Sequence, residues 1–172
     1  MTKTPFLGLP DLEVLDHADL AAAALACATR LSPLFAGLAT HSDPRGYADL
    51  LADMWQLVGQ GARDLPERAV NDLDYRLAAF PEAFCDSFYL LDYEACSVLG
   101  VGYAALRVLD DGGPEAALEC WETALELLGG LGEELDDEEA RLVPEAQEQR
   151  QVLAQTRAGR RPTMLIPGLT GR

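Results

Sequence analysis

DSFYLLDYEACSVLGVGYAALRVL, residues 86–109, decides the fold. Phe88, Tyr89, Leu90, Leu91, Cys96, Val98, Leu99, Val101, Tyr103 and Leu106 leave almost no polar side over more than six helical turns. A helix apolar all round belongs at the centre of a bundle. Gly100 and Gly102 lower its helix propensity, by about 1 kcal/mol each relative to alanine, so they are expected where a neighbouring backbone comes close.

Outward from this stretch, the pattern stays helical. Residues 1–10 read as an extended entry that Phe6 and Leu7 pin to the body. A helix starting at about Asp11 or Asp16 runs to Arg30, with Leu12, Leu15, Leu20, Ala24, Cys27 and Leu31 on one stripe. Ser32-Pro33 then begins or kinks a short helix to about Leu38. Asp43 caps a helix that has Pro44 in its first turn and stops near Gly59 or Gly61. Pro66 opens a segment with Val70, Leu73, Leu77 and Phe80 inside, ended by Pro81. Past the central helix, Asp110-Asp111-Gly112-Gly113 is a turn, and Pro114 starts a helix that Gly129, Gly130 and Gly132 close. The run Glu133 to Glu139 reads as a solvated loop or helix start, and a polar helix spans about Pro144 to Arg157.

These segments predict an all-α compact bundle of about six or seven helices with a central apolar helix and a C-terminal tail. Residues 1–158 form the acidic helical domain and 159–172 a basic tail containing proline and glycine. Trp55, Leu91, Leu99, Leu106 and Trp121 are expected to be buried. At 172 residues the chain suits one domain able to build its own core.

The formal charge is -16, from 29 acidic and 13 basic side chains. Such a surface repels nucleic-acid phosphates and anionic lipid, steers cationic partners inward, and also serves solubility alone. Neither nucleic acid nor membrane is therefore expected as a partner. No leader-like N-terminus and no run of membrane-spanning length is read, so a cytoplasmic location is expected. Cys27, Cys85, Cys96 and Cys120 include no C-x-x-C pair and are expected as buried, reduced thiols.

Three groups of residues invite a functional reading. Glu13 and His17, four apart on the first helix, have metal-ligand spacing, but no second ligand pair accompanies them, so no metal is expected. Asp86, Tyr89 and Tyr93 lie one helical turn apart, suited either to a ligand pocket beside a buried helix or to a capped helix with satisfied hydroxyls. The third group couples the acidic residues Asp136, Asp137, Glu138 and Glu139 with Arg160 and Arg161, because no acidic residue follows Glu148. That basic end either folds back on the negative body or docks to a partner. No nucleotide-binding glycine motif and no nucleophile elbow is present, and no cofactor is expected.

Three stretches together resemble the bacterial domain-of-unknown-function family 416, the YjaG-like proteins. They are Ala26-Cys27-Ala28-Thr29-Arg30-Leu31-Ser32-Pro33-Leu34-Phe35, the helix from Asp49 to Val58 bearing Trp55, and Asp86-Ser87 followed by Tyr93-Glu94-Ala95-Cys96 through Tyr103-Ala104-Ala105-Leu106. The resemblance spans about residues 20–130. It implies an all-helical fold and brings no activity or catalytic residue. The acidic segment and basic tail depart from the family's pattern.

The leading expectation is a non-enzymatic binding protein whose acidic surface meets a cationic protein, an immunity protein that neutralises a toxin being one form. The alternatives are an enzyme or small-ligand protein with a pocket near Asp86, and a cargo or adaptor docked by its tail. Self-association fits any of them.

Overall fold

The computed structural model describes residues 8–61, 65–83, 90–110, 112–134 and 138–160, with backbone alone at 90–92, 131–134 and 138–143. Among these residues there are seven α-helices and no strand. They are α1 (Leu9–Leu12), α2 (His17–Leu38), α3 (Pro44–Gly61), α4 (Glu67–Ala78), α5 (Leu90–Asp110), α6 (Pro114–Glu134) and α7 (Glu138–Arg157), with a 3-10 turn at Pro81–Ala83. The all-α bundle expected from the hydrophobic pattern is the observed fold.

Local chemistry sets most of the helix ends. Asp16 caps α2, its Oδ1 accepting the Asp19 N–H at 2.9 Å. Asp43 does the same for α3 through the Arg45 N–H at 3.0 Å. At the end of α7, Gly159 takes φ of 74°, and the Arg160 N–H returns to Gln155 O at 2.9 Å. That pairing satisfies a late carbonyl in the manner of a Schellman ending.

The centre is shared by two helices. α5 packs against α2, α6, α4 and α3, as its sequence predicts. α2, read as carrying one stripe, is in fact buried at every position from Leu20 to Thr29. Alanine explains the difference. It scores as a helix former on any face, yet its small side chain lets α3, α5, α6 and α7 all pack on α2. By length and composition α2 also reaches membrane-spanning size, contrary to expectation, although 61% of its apolar window is buried inside the bundle.

Prolines and glycines correct three more boundaries. α2 runs unbroken through Pro33, whose ring removes the hydrogen bond to Thr29 O. The Ser32 hydroxyl donates to that carbonyl instead, at 2.8 Å. α6 continues past Gly129, Gly130 and Gly132 to Glu134, and α7 starts at Glu138, with Pro144 inside it. Gly102 does admit a close neighbour, but that neighbour is a side chain: a Cβ there would lie 2.8 Å from the Tyr47 hydroxyl. Tyr47 donates to Val98 O at 3.3 Å and packs with Phe35 and Phe80, ring centroids 5.0 and 6.2 Å away.

Trp121, Leu99 and Leu106 are buried as expected. Trp55 is only half-buried, lying over α2 with its indole N–H on Thr29 Oγ1 at 3.0 Å. The Leu91 side chain, Cys85 and the entry residues Phe6 and Leu7 lie outside the described residues.

Candidate functional site

α6 divides its faces sharply. Ala116, Ala117, Cys120, Trp121, Ala124, Leu127 and Leu128 are buried. On the opposite side Glu115, Glu119, Glu122 and Glu126 are all exposed. Their spacing of four, three and four residues places them in one row along the helix. Only Glu119 meets a cation among the described residues, Arg107 Nη1 at 2.8 Å. Both of those side chains are more than half exposed, so water screens most of the attraction. The like-charged neighbours Glu115–Glu119 and Glu122–Glu126 each cost about 0.2–0.5 kcal/mol of helix stability. No basic residue stands in the last turn, where the helix dipole is negative.

Only some of the residues singled out from the sequence are described. Tyr93 is 61% exposed and points to solvent, so it lines no enclosed pocket. Asp86 and Tyr89 lie outside the described residues, as do Asp136, Asp137 and Arg161. Glu138 and Glu139 form the start of α7, and Arg160 is exposed just beyond its end. The Glu13–His17 pairing is overturned. Glu13 lies in the turn after α1, off the helix that carries His17, and His17 Nε2 is 3.2 Å from Leu109 O. No metal-ligating cluster of histidine, cysteine or carboxylate occurs among the described residues. At the end of α7, Arg157 Nη2 donates to Asp11 O at 2.6 Å.

Of the three glutamates buried among the described residues, Glu82, Glu94 and Glu145, the first and last escaped sequence reasoning. Glu145 on α7 accepts Arg30 Nη2 at 2.6 Å, Arg30 Nε at 3.2 Å, Gln149 Nε2 at 3.1 Å and the Cys27 thiol at 3.5 Å. Burial by itself pushes the Arg30 guanidinium down, but its bonds to Glu145 and the negative groups around it outweigh that and hold it charged. Gln149 also reaches Trp121 O at 3.4 Å, tying α7 to α6. The Trp121 indole N–H and the Nε and Nη2 of Arg150 are buried without a hydrogen-bond partner among the described residues. The signal for Glu145 was weak because α7 reads as polar throughout.

Glu82 is the other. It is 2% exposed and accepts the backbone N–H groups of His41 and Ser42, each at 3.0 Å, and the Ser42 hydroxyl. Burial alone raises its carboxyl, while these hydrogen bonds together lower it further, leaving it below the ordinary carboxylate value. A depressed folded-state value means stability that is present above the unfolded carboxylate range and lost as pH falls through the folded value. Glu82→Gln is therefore expected to cost about 1–2 kcal/mol at neutral pH, with the gap to wild type closing below about pH 4. Thermal unfolding across that range checks it; a gap constant with pH would assign Glu82 no charged role.

Comparison of the chain with protein-family models, curated proteins and solved structures finds no match in any of the three.

Proposed function

We propose that this chain is a non-enzymatic binding protein whose acidic surface meets a cationic protein partner, with the outer row of α6 as the contact face. The observation that carries the reading is the row Glu115, Glu119, Glu122 and Glu126, exposed and countered by Arg107 alone among the described residues. A helix that accepts repulsion along its own face offers a partner's lysines and arginines unspent negative potential. Such a face raises the association rate and selects basic surfaces over acidic ones. Inhibition of a basic toxin is one form this takes. Kinship with domain-of-unknown-function family 416 is proposed on its three short motifs and adds no activity to the reading.

Affinity capture from source lysate at low salt tests the proposal with three baits. These are the wild-type chain, a variant with Glu115, Glu122 and Glu126 changed to glutamine, and a chain ending at Gly159. The expected result is a basic protein held by wild type and by the shortened chain. The glutamine variant should hold it at least about tenfold more weakly, and added salt should release it. Equal capture by the glutamine variant, capture by the full-length tail alone, or no specific capture would overturn the proposal.

A further inference from the structure

Cys27 in α2 and Cys120 in α6 stand about ninety residues apart in sequence. Both are completely buried, and both carry free thiols. Cys120 Sγ lies 3.7 Å from Ala24 O and 3.7 Å from Val101 O, so it projects into the seam between α2 and α5. Ala24 is one helical turn before Cys27, and a helical side chain leans back over the preceding turn. The two thiols therefore face each other across this seam, near enough for Cys120 to help raise the Cys27 thiol well above its ordinary value. Their neighbours Ala24, Ala28, Ala117 and Ala124 are buried and small. Cys96, by contrast, is half-buried, and its sulfur lies 3.9 Å from Ala83 O.

We propose that Cys27 and Cys120 are a redox-sensitive pair that closes to a disulfide clamping α2 to α6 when a two-electron thiol oxidant gains access. One sulfur first bonds to the oxidant. The other, as thiolate, then displaces it. In sum two S–H bonds are lost and one S–S bond forms, with two protons and two electrons passing to the oxidant. A diazene such as diamide leaves as the hydrazine; a low-molecular-mass disulfide leaves as two thiols.

α7 guards the pair. Glu145 sits 3.5 Å from the Cys27 sulfur and is latched by Arg30. Proximity to Cys120, burial and the Glu145 charge together keep Cys27 protonated, so the pair is inert at rest. Closure waits for α7 to lift and admit the oxidant.

The reduced full chain is incubated with diamide under native conditions and mapped by mass spectrometry without reduction. The expected product is a Cys27–Cys120 peptide pair lighter by two hydrogens, with two thiols lost from the titration. The unfolding midpoint should rise by about 5 °C or more and return on reduction by dithiothreitol. Cys120→Ser should lose both the cross-link and the rise. The wild-type map stands by itself if that variant fails to fold. Retention of both thiols in the folded chain, pairing of either with Cys85 or Cys96, or a cross-link appearing only above the unfolding midpoint would overturn the proposal.

Discussion

Glu145→Ala is expected to lower the unfolding free energy by about 3 kcal/mol, the range for breaking one side of a buried ion pair. The Arg30 side chain is only 25% exposed and the Glu145 side chain 7%. Truncating Glu145 leaves the guanidinium without its hydrogen-bonded carboxylate and removes the acceptor of the Cys27 thiol, while Gln149 Nε2 keeps Trp121 O. For a chain of this size the unfolding midpoint should fall by roughly 10 °C. Removing both charges together is a different matter, because no buried charge is then left unpaired. Arg30→Met with Glu145→Met should be less costly than Glu145→Ala alone. Urea unfolding of wild type and these two variants measures both differences. A single variant within about 0.5 kcal/mol of wild type would mean that water reaches the pair and screens it.

Gly112→Ala is expected to do similar damage by a steric route. A Cβ at this position would lie 2.7 Å from Arg107 O, 2.8 Å from the Val108 Cα and 2.8 Å from the Ala116 Cβ. Two of those atoms belong to the α5 main chain, so no side-chain rotation relieves the clash. The turn would have to shift, and with it the Gly112 N–H bond to Arg107 O at 2.9 Å that ends α5. We expect a loss of about 3 kcal/mol, the upper part of the range for overpacking. Gly100→Ala is the control, because a Cβ there meets only the Thr123 methyl at 4.0 Å. It should be neutral or stabilising by up to about 1 kcal/mol. Equal effects at the two glycines would remove the steric explanation.

Much of this fold was legible because its causes are local. The apolar sides of α5, the aspartate caps at Asp16 and Asp43, the proline start of α6 and the glycine ending of α7 each depend on residues within about two helical turns. What local reading missed has distant causes. Pro33 and the glycines late in α6 carry strong stop signals, yet both helices continue. At Pro33 a serine hydroxyl occupies the orphaned carbonyl, and α6 packs along α7. Trp55 was expected inside because tryptophan is large and apolar. Its half-burial follows from where α3 crosses Thr29.

The site shows the same division. The acidic residues of α6 stand in the sequence at a spacing that already places them on one face, but whether that face looks outward depends on which helices pack against α6. Glu145 and Arg30 are 115 positions apart, and Glu82 and His41 are 41 apart. Nothing near any of them in sequence marks a buried carboxylate. By itself the sequence determined the fold class, most helix ends and the charge of the surface, because propensity, capping and net charge are properties of short segments or of composition. Only the tertiary structure decided which carboxylates are buried and which form an open row, and that Cys120 lies against the turn of α2 that precedes Cys27. Burial and contact depend on helices brought together from opposite ends of the chain.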